Sequence, residues 1–148
     1  MKAKIDLETV RAFCDRCPFN RWLGLTIVEI GDNWLRMTMP WKTDLLSSPE
    51  LQLVHGGVLA SLIDSACGYA AALVAGHTVP TVDLVTDYHK AAVPGPLEAR
   101  AEVIRAGRSL ITARAEVRDC EGNLVASGRI VAFGARANNL GGKVPPPA

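Results

Sequence analysis

The sequence predicts an α+β fold in which one antiparallel sheet of about six strands wraps around a long central helix, preceded by a short N-terminal helix. The first observation is the run from Val58 to Gly76, where almost every side chain is small or apolar. A helix over this run is apolar on all sides and must be covered by the rest of the chain. The second observation is that the segments before and after this run alternate apolar and polar residues. Strands that expose one face to solvent and bury the other show this alternation. The central helix is the only all-apolar element available to cover their other face.

The first element in chain order is a short amphipathic helix from Asp6 to about Cys17. Asp6 is a suitable N-cap, and Pro18 ends the helix because its ring cannot continue it. The apolar face of this helix consists of Leu7, Val10, Phe13, Cys14 and Cys17. Residues 19–24 then form an aromatic-bearing connector to the first strand.

Two strands, Leu25–Gly31 and Asn33–Pro40, follow as a hairpin with a tight turn at Asp32. In the second strand, one face carries apolar residues, namely Leu35, Met37 and Met39. In the stretch Trp41–Leu53 the apolar residues recur at no regular spacing, and the stretch contains two serines and a proline. We therefore predict a loop that leads into the central helix.

Four more strands follow the helix, joined by short connections that contain glycine, as hairpin turns require. They are Val82–Ala91, Leu97–Ala106, Ser109–Asp119 and Leu124–Gly134. We therefore expect three parts: residues 1–24 as helix and connector, residues 25–134 as the sheet-and-helix domain, and residues 135–148 as a flexible tail with little to bury. At 148 residues the chain is one domain.

Net charge and composition limit which classes of partner the protein is expected to bind. The formal net charge is +1 with both signs interspersed, so neither nucleic acid nor an anionic membrane is expected to bind. The first residues lack the apolar segment of a signal peptide, which predicts a cytoplasmic protein. The run Val58–Gly76 is nearly long enough to cross a membrane, but its small residues and its aspartate argue against a span.

Cysteines do not indicate a metal site. Cys14 and Cys17 have the C-x-x-C spacing, but a zinc site needs a second pair or histidines in register, and neither is evident. We expect two half-buried thiols on a short helix, no metal and no cofactor.

Asp64 is the only charged residue between Val58 and Gly76. Burying a lone carboxylate costs several kcal/mol unless it is paired, so a carboxylate kept there is a candidate for chemistry. The alternative is an aspartate that caps or pairs inside a helical core. Gly56 and Gly57 stand where the helix begins, and without side chains they let a ligand approach its unpaired amides. The alternative is a plain loop-to-helix turn.

These residues together resemble a known family. The motif His55-Gly56-Gly57, Asp64 nine positions after the histidine, and a strand that starts at Thr81 are similar to the hotdog-fold acyl-CoA thioesterases of the phenylacetate-pathway and 4-hydroxybenzoyl-CoA type. The similarity runs over roughly residues 23–135. It implies the hotdog fold, subunits that pair edge to edge and often form tetramers, and hydrolysis of an acyl- or aryl-CoA to free acid and coenzyme A.

The resemblance also implies roles at the site. The Gly56 amide polarises the thioester carbonyl, and Asp64 acts as general base or as nucleophile. Thr81 supplies a hydroxyl that holds the water or the carboxylate, although it could equally be an ordinary strand residue. His55 is expected to fix its loop rather than to take part in proton transfer. Gly57 and Ser65 are expected to contact the substrate.

The sequence departs from the family where an Asn or Gln commonly lies six residues before the histidine, since Pro49 is found there. Gln52 is close enough to substitute for it. Lys90, Arg105 and Arg108 are candidates to hold the phosphates of coenzyme A, because guanidinium groups bind phosphate well. Their alternative is ordinary solvated surface charge.

Helix geometry predicts that the site is shared between subunits. Nine residues separate His55 from Asp64, which is about 13.5 Å along the axis and half a turn out of phase. We therefore expect a homodimer or homotetramer with active sites at the subunit interface. Two other functions were weighed: a non-catalytic acyl-CoA-binding or structural hotdog protein, and a hotdog dehydratase. The spacing of histidine and acid argues against the dehydratase.

Overall fold

The computed structural model describes residues 5–135. Two helices come first, α1 (Leu7–Asp15) and α2 (Pro18–Leu23), followed by the long helix α3 (Gly56–Ala75) after four strands. The strands are β1 (Thr26–Ile30), β2 (Trp34–Met39), β3 (Leu46–Ser48), β4 (Leu53–Val54), β5 (Thr81–Tyr88), β6 (Leu97–Ala106), β7 (Leu110–Arg118) and β8 (Leu124–Phe133).

The main sheet has six strands in the order β1-β2-β6-β7-β8-β5, and all neighbours are antiparallel. Its inner face packs on α3, and the predicted apolar face of β2 is fully buried at Leu35, Met37 and Met39. The alternation in β6 and β7 likewise separates buried from solvent-facing residues. This arrangement is the hotdog fold, so the predicted fold class is confirmed.

Helix α1 is the predicted N-terminal helix, and the Asp6 carboxylate accepts a hydrogen bond from the Thr9 amide over 2.8 Å as its cap. The connector predicted after Pro18 is wrong, because residues 18–23 form α2. Proline is well suited to a first helical position, where its missing N–H would have no partner. Gly24 ends α2 with φ +72°, a left-handed conformation that glycine adopts without strain.

The stretch predicted as a loop between β2 and α3 also contains regular structure. Strands β3 and β4 pair with each other, and a single 3₁₀ turn covers Thr43–Leu45. Buried Leu45 anchors the segment, and its carbonyl accepts a hydrogen bond from the His55 amide. Strands of two and three residues are too short to produce a period in the sequence.

Strand β5 lies at the edge of the sheet and is exposed along nearly its whole length. Three of its apolar side chains are well exposed, with Val82 at 64%, Val85 at 42% and Tyr88 at 56%. An unpaired edge with exposed apolar residues favours pairing with another chain. The sequence predicts this segment as a strand but not its position at the edge.

Helix α3 is long and apolar enough to cross a membrane by length and composition, a test that the core helix of a soluble protein also passes. Here the sheet covers one side of it.

All four cysteines are free; Cys14 is buried and Cys17 half-buried. Residues 5–135 contain no group of three or more His, Cys, Asp or Glu side chains placed to hold a metal. The predicted domain boundaries stay a prediction, and the predicted tail lies outside the described residues except for Ala135.

Candidate active site

Asp64 lies on a half-buried face of α3 and not inside the core, so the expectation of a helix covered on all sides is wrong for this face. The Thr81 hydroxyl, at the start of β5, donates a hydrogen bond to Asp64 Oδ1 over 2.8 Å. One carboxylate oxygen is thereby fixed, while no hydrogen bond to Oδ2 is found within residues 5–135. The predicted pair of Asp64 and Thr81 is brought together by the fold.

A cavity of about 660 Å³ opens beside this pair. Asp64, Ser65 and Thr81 form part of its lining, together with residues from α1 and α2. The other lining residues include the aromatic side chains Phe13, Phe19 and Tyr69. Its size lies within the range of roughly 300–1,000 Å³ typical of small-molecule sites, and its lining combines apolar walls with a few polar groups.

The cysteine near Asp64 is not a nucleophile. Cys67 is fully buried on α3. Burial, followed by the negative charge of Asp64, raises the pKa of Cys67 to about 12. The thiol therefore stays protonated at neutral pH, and only a thiolate attacks efficiently.

The N-terminus of α3 has a defined cap. His55 Nδ1 accepts a hydrogen bond from the Gly57 amide over 2.8 Å, so this amide is occupied. The Gly56 amide, by contrast, has no acceptor within residues 5–135, and it lies at the positive end of the helix dipole. The cap matches the structural role predicted for His55, whose part in the reaction stays a prediction.

Tyr88, at the end of β5, belongs to the same cluster and was missed from the sequence. Its hydroxyl donates a hydrogen bond to the Gly56 carbonyl over 2.8 Å. A Cβ added to Gly56 would lie 3.1 Å from the Tyr88 ring, which is tighter than ordinary van der Waals contact. No sequence signal identifies this contact, because it depends on how one strand end meets one helix start.

Within one chain the two parts of the site are apart. Gly56 and Asp64 are eight residues apart on α3, about 12 Å along the axis. Their angular offset is about 80°, less than the half turn that separates His55 from Asp64, so it is the axial distance that separates them. They also contact opposite ends of β5, since Gly56 meets Tyr88 and Asp64 meets Thr81. A single chain does not bring them to one reacting carbonyl.

The remaining predicted residues lie outside the cavity. Gln52 is exposed with φ +53°, and its side-chain amide donates a hydrogen bond to the Pro49 carbonyl over 2.7 Å. Lys90 is exposed just after β5. Arg105 and Arg108 are exposed at the end of β6 and in the following turn, and neither forms an ion pair within residues 5–135. Their contact with substrate stays a prediction.

The fold is that of the thioester hydrolases of the hotdog class. The family model of the thioesterase superfamily matches residues 51–126 of this chain. The chain belongs to the thioesterase superfamily, and the resemblance drawn from the His55-Gly56-Gly57 motif is confirmed.

Individual relatives agree with this assignment. A solved structure of another thioesterase-superfamily protein is 48% identical, superposes with a TM-score of 0.83, and covers 86% of this chain and 96% of its own. The crystal structure of a thioesterase from Haemophilus influenzae is 26% identical with a TM-score of 0.79, covering 89% of this chain and 92% of its own. A medium/long-chain acyl-CoA thioesterase of Escherichia coli is 25% identical over 78% of this chain and 84% of its own.

Proposed function

We propose that this protein hydrolyses the thioester of an acyl- or aryl-CoA to a free acid and coenzyme A, with Asp64 as general base or nucleophile. The observation that carries the proposal is the hydrogen bond from Thr81 to Asp64 Oδ1 at the edge of the cavity. It holds one carboxylate oxygen and leaves the other available to act on water or on the thioester. The Escherichia coli relative, named for acyl-CoA hydrolysis, supports the choice of substrate.

With Asp64 as base, its carboxylate takes a proton from water while the water oxygen attacks the thioester carbonyl carbon. The carbonyl oxygen becomes an oxyanion that accepts a hydrogen bond from the Gly56 amide, at a helix N-terminus whose dipole favours negative charge. Collapse of the intermediate breaks the C–S bond, and the thiolate leaves with the proton from Asp64. With Asp64 as nucleophile, its oxygen attacks the carbonyl carbon and the C–S bond breaks, so that coenzyme A leaves as a thiolate and takes a proton from solvent. Water then hydrolyses the resulting anhydride to the free acid and the Asp64 carboxylate.

The site is completed by a second copy of the chain. Antiparallel pairing of β5 with β5 of a partner subunit, about a two-fold axis, places the Thr81 end of one strand beside the Tyr88 end of the other. Asp64 of one subunit then meets the partner subunit's Gly56. The exposed apolar edge of β5 supports this pairing. The assembly is a homodimer, or a homotetramer built from two such dimers.

The proposal also assigns the contacts with the substrate. Gly57 and Ser65 lie beside the acyl carbon, and Gln52 approaches the thioester from its loop. The coenzyme A phosphates are held by three basic residues, Lys90, Arg105 and Arg108.

The protein works in the cytoplasm, which its four free cysteines support, since disulfides are rare in reducing compartments.

A thiol-release assay over aryl, short, medium and long acyl-CoAs tests this function. Asp64→Asn is expected to lower kcat by about 10²–10⁴-fold with an unchanged circular dichroism spectrum, because it removes the base but keeps the shape. The matched control is Asp44→Asn, at an exposed position in the 3₁₀ turn, which leaves kcat unchanged. Binding of acyl-CoA without thiol release would show a binding protein and not an enzyme, and full activity in folded Asp64→Asn would reject the proposed role.

A further inference from the structure

Gly68 occupies the middle of α3, where no packing reason requires a glycine. A Cβ placed there meets no atom within 4 Å, whereas a Cβ on Gly128 would meet a backbone oxygen at 2.6 Å. Glycine inside a helix is destabilising relative to alanine, because the unfolded chain has more conformational freedom to lose. What the glycine provides at this position is open space.

That space belongs to the cavity beside Asp64. Gly68 is four residues after Asp64, so both lie on the same face of α3, and both line the cavity. An acyl group whose carbonyl carbon is attacked at Asp64 would extend along this face and pass over Gly68.

A second part of the cavity wall is held in place by contacts between α1, α2 and α3. The rings of Phe13 on α1 and Tyr69 on α3 meet edge to face, with centroids 6.1 Å apart. The buried Asn20 amide donates a hydrogen bond to the Tyr69 hydroxyl over 2.8 Å and one to the Cys14 carbonyl over 3.3 Å. Burial raises the pKa of Tyr69, so this wall is uncharged at neutral pH.

We propose that Gly68 is a specificity-determining residue: its missing side chain leaves the wall beside Asp64 open, and this opening sets how large an acyl group the cavity admits. The inference rests on the proposed function and names a residue that limits the size of its substrate. The cavity of about 660 Å³ has the volume of about 20 water molecules, so an acetyl group would leave most of it empty. Of the residues that line it, only Asp64 and the exposed Arg16 carry charge, which disfavours highly polar acyl groups.

The test is a size series at one position, Gly68→Ala and Gly68→Leu, assayed by thiol release from acetyl-, butyryl-, octanoyl- and phenylacetyl-CoA. Wild type is expected to prefer the octanoyl and phenylacetyl substrates. Gly68→Leu lowers kcat/KM for these two by about tenfold or more, since the added side chain fills space that their acyl groups would occupy, and leaves acetyl-CoA within about twofold. Gly68→Ala falls between, with a melting temperature no lower than that of wild type.

Ala75→Leu adds the same side chain at the last position of α3, outside the cavity, and leaves the preference unchanged. An unchanged preference in folded Gly68→Leu, or an equal loss on all four substrates, overturns the inference while the proposed function stands. No thiol release by wild type from any substrate overturns the proposed function itself. Linear and aryl substrates are separated by comparing octanoyl- with phenylacetyl-CoA.

Discussion

The Tyr88 hydroxyl and the Gly56 carbonyl form a 2.8 Å hydrogen bond that links the free edge strand to the start of the central helix. The same peptide group is held at its other end, because the Gly57 amide donates to His55 Nδ1. The preceding peptide group, which carries the Gly56 N–H, is held as well, because the Val58 amide donates to the His55 carbonyl over 3.0 Å. In the proposed mechanism, Tyr88 is therefore a positioning residue for the Gly56 amide.

Tyr88→Phe is expected to lower kcat by about 2–10-fold with little change in KM. The reason is that one neutral hydrogen bond of about 0.5–1.5 kcal/mol then no longer aligns the amide in the transition state. Steady-state kinetics on one acyl-CoA measure both constants, and light scattering checks that the assembly is intact.

The other tyrosine of the chain provides the control. Tyr69→Phe also removes one hydroxyl, but it takes a hydrogen-bond partner from buried Asn20, so it should lower stability by about 1 kcal/mol. Tyr88 is exposed, and its substitution should leave the melting temperature nearly unchanged. A Tyr88→Phe protein with the kcat of wild type would remove this residue from the mechanism.

Thr81→Val keeps the shape of the side chain but removes the donor to Asp64 Oδ1. The expected result is a kcat reduced by about tenfold or more, because hydrogen bonds to a charged group are worth about 1.5–3 kcal/mol. Thr81→Ser retains the hydroxyl and should recover most of the activity. If Thr81→Ser is as slow as Thr81→Val, the lost methyl packing and not the hydroxyl accounts for the change.

Much of the fold was predictable because the spacing of apolar residues along the chain distinguishes strands from helices and shows which face is buried. The alternation of Leu35, Met37 and Met39 places one face of β2 in the core from the sequence alone. Pro18 is compatible both with the end of one helix and with the start of the next, and in the structure it is the first residue of α2. β3 and β4 are too short to have a period.

The site was predictable only in part. The motif and its resemblance identify Asp64, Gly56 and Thr81 as candidates, and the fold places Thr81 against Asp64. Tyr88 and the cavity wall at Phe13 depend on contacts between elements far apart in the chain, which no local pattern encodes. Phe13 was predicted on the apolar face of a helix, and that pattern does not distinguish core from cavity lining.

Mixing two inactive variants tests the shared site. Asp64→Asn lacks the base, and Gly56→Val places a branched side chain against the Tyr88 ring and disturbs the amide. After subunit exchange, each heterodimer has one site with both residues intact and one with both changed. At equal mixing about half of the dimers are mixed, so activity should recover to about a quarter of wild type.

The same two variants kept apart as homodimers are the control and should stay inactive. Recovery should follow the rate of subunit exchange, which tagged subunits report. An active monomer in light scattering, or no recovery after exchange is complete, would contradict a site built from two chains.

Arg108 lies in the turn between β6 and β7, at the same end of the sheet as Thr81, because Leu110 pairs with Phe133 and Thr81 with Ala132. Strands β5 and β6 are three positions apart in the sheet, about 14 Å. A phosphate group remote from the thioester could reach this distance. Arg108→Ala is then expected to raise KM several-fold with little change in kcat, because a remote phosphate is held equally in the ground and transition states.

The effect of Arg108→Ala should shrink as salt is raised, since exposed ion pairs are screened. The matched control is Arg118→Ala at the far end of β7, an exposed arginine that already pairs with Glu116 over 3.1 Å and whose loss should leave KM unchanged. A truncated acyl thioester that lacks the phosphates should be hydrolysed equally by wild type and Arg108→Ala. If Arg108→Ala slows the truncated substrate as much as acyl-CoA, or slows neither, then this arginine is surface charge and does not bind coenzyme A.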